Sequence, residues 1–398
     1  MKDSIASLTD LLEKVSSQRF LEAEAVEDLG LADQPAFPFL ALVGQREMKL
    51  ALLLTLINPN VGGVLLIGPR GTGKTTAVRS LVDLLPEVSR SRCHYGCLPE
   101  DIETGGMDAV CPDCAKRFGE NESLIYYDRV RLIELPLNAQ LEDVVGGLDE
   151  RAVLHSRMRL KRGLLARADQ NLLYVDEVNL LADDIVDAIL DAAAQGTYTV
   201  HRGPLAATYR SRFALIGSMN PEEGQLRPQI LDRFGLRVIV RGLEDREDRL
   251  EAYRRSIEFK NHPQRLANEY FNSTTLAKNE LETARNTIDK VKLTPEAENF
   301  GLNLIQGLGV ESLRAEITLF EAARAYAIAD GREEASAEDI SLIAPMAIRL
   351  RRSSFIKDYL TSQSQEEEEL DKLMLDMSSE SSKKTTKSKK STKSKEDQ

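Results

Sequence analysis

No run of about 18 apolar residues occurs in this 398-residue chain, which excludes a membrane-spanning helix. The opening MKDSIASLTDLLEKVSSQRF has neither the basic n-region nor the apolar h-region of a secretory signal, so the expected location is the cytoplasm. Cysteine is scarce, and four residues are too few for a disulfide scaffold in a chain of this length. Positive charge is in deficit. Lys and Arg number 52 against 64 Asp and Glu, a net charge of −12, which argues against a general nucleic-acid binder but not against a local basic patch. What is there, 42% hydrophobic and 29% charged residues, is the composition of a globular protein of two or three domains that needs neither metal nor disulfide merely to fold.

Ile5, Leu8, Leu11, Leu12 and Val15 recur at three- and four-residue intervals, which predicts a helical segment within 1–37, closed by Pro35 and Pro38. Between 38 and 242, short apolar runs alternate with helical patterns. The runs are Val64 to Ile67, Val130 to Leu135, Leu172 to Val175, Phe213 to Ile216 and Leu236 to Val240. That alternation predicts an open, mostly parallel α/β sheet. From about Glu244 the pattern is helical throughout, giving a helical linker over 243–293 and a small bundle over 294–357. Thr294-Pro295-Glu296 and Ser336-Ala337-Glu338-Asp339 mark helix starts. Residues 358–398 carry an acidic block, Glu366 to Glu369, and a Ser/Thr/Lys tail without core-forming residues, which predicts disorder.

Gly68-Pro69-Arg70-Gly71-Thr72-Gly73-Lys74-Thr75 fits G-x-x-x-x-G-K-[ST] between an apolar run and a helical pattern. The glycines let backbone N–H groups converge on phosphates, the helix N-terminus adds positive potential, Lys74 supplies a point charge and Thr75 a hydroxyl for Mg²⁺. Leu172 to Val175 ends in Asp176-Glu177, which suits an acid that helps hold Mg²⁺ followed by a general base that polarises the attacking water. The plainer reading is two carboxylates capping the next helix. Asn220, in Gly217-Ser218-Met219-Asn220-Pro221, is placed to orient that water, although Asn-Pro also marks a turn. Arg233, in Leu231-Asp232-Arg233-Phe234, suits an arginine finger supplied to a neighbouring subunit, or simply a surface ion pair with Asp232.

In this order the four motifs resemble those of the AAA+ ATPases, with Val43-Gly44-Gln45 as the start of the adenine-side segment and Gly44 beside the nucleotide. Glu134 to Ala139, Glu142 to Asp149, Gly163 to Leu181 and Gly217 to Gly224 resemble the I subunit of magnesium chelatase, over about residues 38–352. The resemblance implies an AAA+ P-loop sheet with helices on both faces and a C-terminal helical bundle. It implies an ATP- and Mg²⁺-dependent ring, hexameric, docking on a D subunit and driving a porphyrin-binding H subunit to insert Mg²⁺ into protoporphyrin IX. It also implies a presensor hairpin over about Tyr198 to Arg212, with Thr197 to Val200 pairing with Ala207 to Arg210, and a nucleotide-sensing arginine at Arg314 whose plainer reading is a helix-surface residue. Two other readings stand beside it: a MoxR-type AAA+ chaperone that remodels or metallates another protein, and a nucleotide-gated or DNA-associated scaffold whose lysine tail contacts acid. The lysine-rich tail and a cysteine segment within 90–120 depart from the family pattern.

That segment reads Cys93-His94-Tyr95-Gly96-Cys97, then Cys111-Pro112-Asp113-Cys114. C-x₃-C followed by C-x₂-C suits four thiolates around a structural Zn²⁺ with no open coordination position. An iron–sulfur cluster or a redox disulfide pair are the alternatives, and His94 stands as a bystander or as a substitute for Cys93.

Overall fold

The computed structural model describes residues 35–351 other than 86, 94, 149–159, 204 and 225. The expected helix before Pro35, the segment and tail from Arg352, His94 and Pro204 lie outside the described residues. Among the described residues no helix is long and apolar enough to cross a membrane.

Thirteen strands are described: β1 Val64–Ile67, β2 Glu87–Ser91, β3 Ile125–Arg129, β4 Leu132–Leu135, β5 Gly146–Leu148, β6 Leu160–Arg162, β7 Leu172–Val175, β8 Thr197–Arg202, β9 Leu205–Arg210, β10 Ala214–Met219, β11 Leu236–Ile239, β12 Lys292–Leu293 and β13 Glu334–Ala335. Five of them form one sheet in the order β11-β1-β10-β7-β4, and every pairing is parallel. The helices are α1 Arg46–Ile57, α2 Lys74–Ser80, α3 Pro99–Gly105, α4 Pro112–Gly119, α5 Leu141–Val145, α6 Leu164–Ala168, α7 Asp183–Gln195, α8 Pro228–Arg233, α9 Arg246–Asn261, α10 Pro263–Thr287, α11 Pro295–Gly307, α12 Leu313–Ala329 and α13 Ala337–Ile348.

Successive strand side chains point to opposite faces, so each run of apolar residues fills two cores. Val64, Leu66, Leu172, Ile216 and Val238 pack with residues of α1, α2 and α10 to α13. Leu65, Ile67, Leu173, Val175 and Leu215 pack with α5 to α8. A parallel sheet covered on both faces has no polar side to show, which is why β1 and β7 are uniformly apolar. The expected α/β sheet with helices on both faces and a C-terminal helical region is therefore the observed architecture.

Several elements differ in detail from the sequence expectation. The helix after Gly73 ends at Ser80 and tightens into a 3₁₀ turn over Leu81–Leu84. The charged helices expected to run to about Leu281 extend to Thr287, and they divide at Pro263, which cannot continue α9 and instead opens α10. The apolar run at 236 includes Arg237, which is fully buried. Its guanidinium donates to the carbonyls of Leu231 and of Arg349, the latter at 2.7 Å. Burial, and then the nearby Arg351 charge, push its pKa down to about 9.

Asp232 explains how these buried cations are tolerated. Its carboxylate accepts from Arg351 at 2.7 Å and from the Ser312 hydroxyl at 2.8 Å, and it lies 3.8 Å from Arg237. One carboxylate thus joins the end of α8 to the start of α12 and to the chain after α13. Asp232→Ala strands two buried guanidiniums, so the unfolding free energy is expected to fall by about 3 kcal/mol in urea titration. A midpoint equal to that of the parent chain would mean that backbone carbonyls alone neutralise them.

Candidate active site

In a parallel sheet the C-terminal strand ends share one rim, where α/β proteins bind ligands. Gly68 follows β1, Asp176 follows β7 and Asn220 follows β10 on that rim. The loop 68–73 is shaped by glycine. Gly71 and Gly73 have φ of 78° and 86°, the left-handed region. At Gly68 the constraint is space, since a Cβ would lie 2.1 Å from the Val240 carbonyl. The Gly68 amide donates to the Met219 carbonyl at 3.0 Å, and the Thr72 hydroxyl to the Pro69 carbonyl at 3.0 Å.

Lys74 opens α2 and is buried, with its ammonium turned back onto the carbonyls of Gly68 and Pro69, the latter at 2.9 Å. Burial lowers its pKa, and the carboxylates of Glu177 and Asp176 partly oppose that. Arg70 is exposed and pairs with Glu223 at 2.5 Å. Gly44, with φ of 62°, lies against Leu243, and the Gln45 side chain donates to the Arg241 carbonyl at 2.6 Å. The 43–45 segment therefore packs on the chain just past Val240, which itself lies against Gly68.

A hydrogen-bonded chain crosses the rim. The hydroxyls of Thr75 and Tyr174 lie 3.2 Å apart, and Tyr174 donates to Asp176 at 2.8 Å. The Ser218 hydroxyl donates to the same Asp176 oxygen, and accepts from the Glu177 amide at 3.1 Å. The Glu177 carboxylate accepts from the Asn220 amide at 3.0 Å, and the Asn220 side-chain oxygen from the Glu222 amide at 3.3 Å. Glu177 sits at φ 49°, a left-handed conformation that turns its carboxylate out of the strand direction. Burial raises the Tyr174 phenol pKa, so it stays a neutral donor. Tyr174 and Ser218 are the members that sequence reasoning passed over as strand residues. The signal was the two-residue step, which puts Tyr174 on the face of Asp176, and Ser218 on that of Asn220.

Arg233 and Arg314 are elsewhere. They line one pocket of about 250 Å³ together with Gly62, Gly63, Leu215 and Asp232. Those residues precede or begin β1, β10 and β11, at the N-terminal rim of the sheet. Neither arginine reaches the phosphate loop of its own chain. The plain alternative for Arg233, an ion pair with Asp232, is corrected by the geometry. Arg233 instead pairs with Asp191 of α7 at 2.5 Å and lies 3.8 Å from Asp187, while Asp232 faces Arg314 at 3.5 Å. The four cysteines form a separate cluster, with all their sulfurs within 4.8 Å of one another. The hairpin expected near 198–212 is β8 with β9, in the register Thr197↔Arg210 to Arg202↔Leu205.

Residues 60–206 match the model of a AAA domain, and residues 303–373 that of a AAA lid domain. A magnesium-chelatase subunit ChlI homolog of Methanocaldococcus jannaschii is 40% identical over 326 residues, 81% of this chain and 87% of that protein. The chloroplastic magnesium-chelatase subunit ChlI-2 of Arabidopsis thaliana is 41% identical over 320 residues, 80% of this chain and 76% of the relative. A crystal structure of a protein from Cytophaga hutchinsonii, 20% identical, covers 86% of this chain and 87% of its own, with a TM-score of 0.51, a likeness of fold. A glycine-rich loop, an acidic pair and the tip of β10 share one rim, and identity of 40–41% over four-fifths of the length shows that the chain belongs to the magnesium-chelatase ChlI family of AAA+ ATPases.

Proposed function

We propose that this chain is the ATP-hydrolysing motor of a magnesium chelatase. It works in the cytoplasm as a hexameric ring that docks on a D subunit. Its ATP turnover drives a porphyrin-binding H subunit to insert Mg²⁺, the metal substrate, into protoporphyrin IX. The observation that carries the ATPase half is the continuous chain from Thr75 through Tyr174, Asp176 and Ser218 to Glu177 and Asn220. The chelatase half rests on the relatives, and those same relatives leave the MoxR-type reading without support.

Each residue has a role in this reading. Backbone N–H groups of the loop from Gly68 through Pro69, Arg70, Gly71, Thr72 and Gly73 cradle the phosphates, and Gly44 borders the base. Lys74 exchanges its two carbonyl partners for the β- and γ-phosphates. Thr75 and Asp176 are hard oxygen donors linked through one phenol, a set that suits the Mg²⁺ accompanying ATP, and the ion supplies charge neutralisation when bound. Glu177 keeps one oxygen on the Asn220 amide and uses the other to take a proton from the attacking water. Asn220 fixes that carboxylate and orients the water. Arg233 leaves Asp191 to reach the γ-phosphate of the adjoining protomer, and Arg314 reports nucleotide state across the same junction. Zn²⁺ at the four cysteines is a structural ion in this scheme.

Lys74→Ala is expected to weaken ATP binding about 10- to 100-fold, the loss of a charged hydrogen-bonding partner, in a titration with fluorescent ATP; unchanged affinity would remove Lys74 from the site. The whole reading is tested by reconstitution with cognate D and H subunits, protoporphyrin IX, Mg²⁺ and ATP. Magnesium porphyrin should form only when this chain and ATP are both present. Turnover of ATP without any metal insertion would leave a AAA+ ATPase serving another client.

A further inference from the structure

Between β2 and β3 the chain makes an excursion that the ATPase reading does not use. The two strands pair antiparallel from Glu87↔Arg129 to Ser91↔Ile125, and the segment they deliver carries α3, α4 and all four cysteines. Its own apolar core is small. Cys97, Val110, Cys114 and Leu124 are buried, with Ile102 and Ala115 packed beside them. A core of this size does not hold some thirty residues together without a cross-link or a metal.

The cysteines are arranged as ligands. Their four sulfurs lie within 4.8 Å of one another although the two pairs are separated by the whole of α3. A single ion bound at about 2.3 Å sets thiolate sulfurs about 3.8 Å apart; a multinuclear iron–sulfur cluster, whose sulfurs bind different irons, needs a wider frame. Backbone amides point at the sulfurs. The Cys97 amide donates to Cys93 Sγ at 3.2 Å, and the Cys111 amide to Cys97 Sγ at 3.3 Å. Such donors stabilise metal-bound thiolate and fix its direction. Ser91 braces the first turn, accepting from the Cys93 amide at 3.1 Å and donating to the Cys97 carbonyl at 2.6 Å. Pro112 starts α4, so Cys111 and Cys114 flank its first turn. Gly96, with φ of 80°, closes the first turn in a conformation that a side chain resists.

The cluster is not isolated on its ribbon. Asp101 of α3 pairs with Arg210 of β9, and the rings of Tyr95 and Tyr209 stack at 6.5 Å with 13° between their planes. Gly96 lies against the Arg210 stem. Shortly after Arg210 the chain enters β10, which ends in Ser218 and Met219 and leads directly to Asn220.

We propose that Cys93, Cys97, Cys111 and Cys114 bind one tetrahedral Zn²⁺, and that this metal-ordered segment is a latch that holds the β8–β9 hairpin where it feeds the sensor strand. Binding replaces four S–H bonds with four Zn–S bonds and releases four protons to solvent, leaving a complex of net charge −2 with no change of oxidation state. The value of the latch for hydrolysis rests on the motor reading above; the metal site and the docking do not.

The test uses the full chain purified without added metal or chelator. Elemental analysis should give one zinc per chain, and Co²⁺ exchanged into the site should show the intense absorption of tetrahedral thiolate coordination. Stripping the zinc, or Cys97→Ser with Cys114→Ser, should speed amide exchange in 197–210 about tenfold, the loss of a charged hydrogen bond's worth of local stability. Amides of β1 and β7 should stay protected. Arg210→Ala should loosen the hairpin equally while keeping its zinc, which serves if the cysteine variants fail to fold. Iron in place of zinc, or an intact mass short of two hydrogens from a disulfide, overturns the metal assignment. Full zinc with exchange unchanged on its removal overturns the latch. A chain that binds zinc, protects the hairpin and never hydrolyses ATP would defeat the motor reading alone.

Discussion

Arg233→Ala is expected to lower ATP turnover by about 10³- to 10⁵-fold, the value of an arginine finger, and to regain activity when mixed with an excess of Lys74→Ala protein. The reasoning is geometric. Arg233 lies at the N-terminal rim of the sheet beside Gly62, Gly63 and Leu215, whereas Gly68, Asp176 and Asn220 stand at the C-terminal rim. A guanidinium cannot span its own sheet to the phosphates, but it can face a neighbour in a ring. Its present partner Asp191 is more than half exposed, so the pair is weak enough to give way. In a mixed ring the Arg233→Ala protomer keeps an intact phosphate loop, and the Lys74→Ala neighbour lends the missing arginine. Steady-state phosphate release over a range of mixing ratios reads the effect. Rescue at no ratio would show that Arg233 serves its own chain through Asp191.

Glu177→Gln is expected to bind ATP as the parent does and to turn it over about 10²- to 10⁴-fold more slowly, the range for removing a general base. The amide retains an oxygen that can accept from the Asn220 N–H, so the tip of β10 keeps its place. What disappears is the capacity to take a proton from water. Single-turnover hydrolysis, measured beside fluorescent-ATP affinity, separates the two. Parent-like turnover would remove Glu177 from the chemistry and pass the role to the Asp176–Ser218 pair.

Much of the rim was readable in the sequence because its information is contiguous. A phosphate loop is eight adjacent residues, and an acidic pair directly after four apolar β-prone residues marks the end of a buried strand. The helix starts at Thr294 and Ser336 were legible for the same reason, since each hydroxyl accepts from the amide three residues on. Tyr174 and Ser218 were not. Their meaning lies in the β7–β10 register, in which Tyr174 is opposite Ile216, and no local pattern states which strands will be neighbours. The motif around Arg314 carries no position; the packing of α12 against the turn before β1, where the Thr318 hydroxyl meets the Val61 carbonyl, puts it beside Asp232 and in one pocket with Arg233.

The cysteine segment divides in the same way. Spacing alone announced four possible ligands. That their sulfurs converge depends on the antiparallel register of β2 and β3, and that Asp101 meets Arg210 depends on contact between residues 109 apart. The sequence by itself determined the chemistry-bearing groups and the two-sided burial of the sheet, because both are set by residue type within a few positions. The tertiary structure alone decided which rim each group occupies, because a parallel strand order is chosen by the packing of distant helices on both faces, and it is this arrangement that separates Arg233 from the phosphate loop of its own chain.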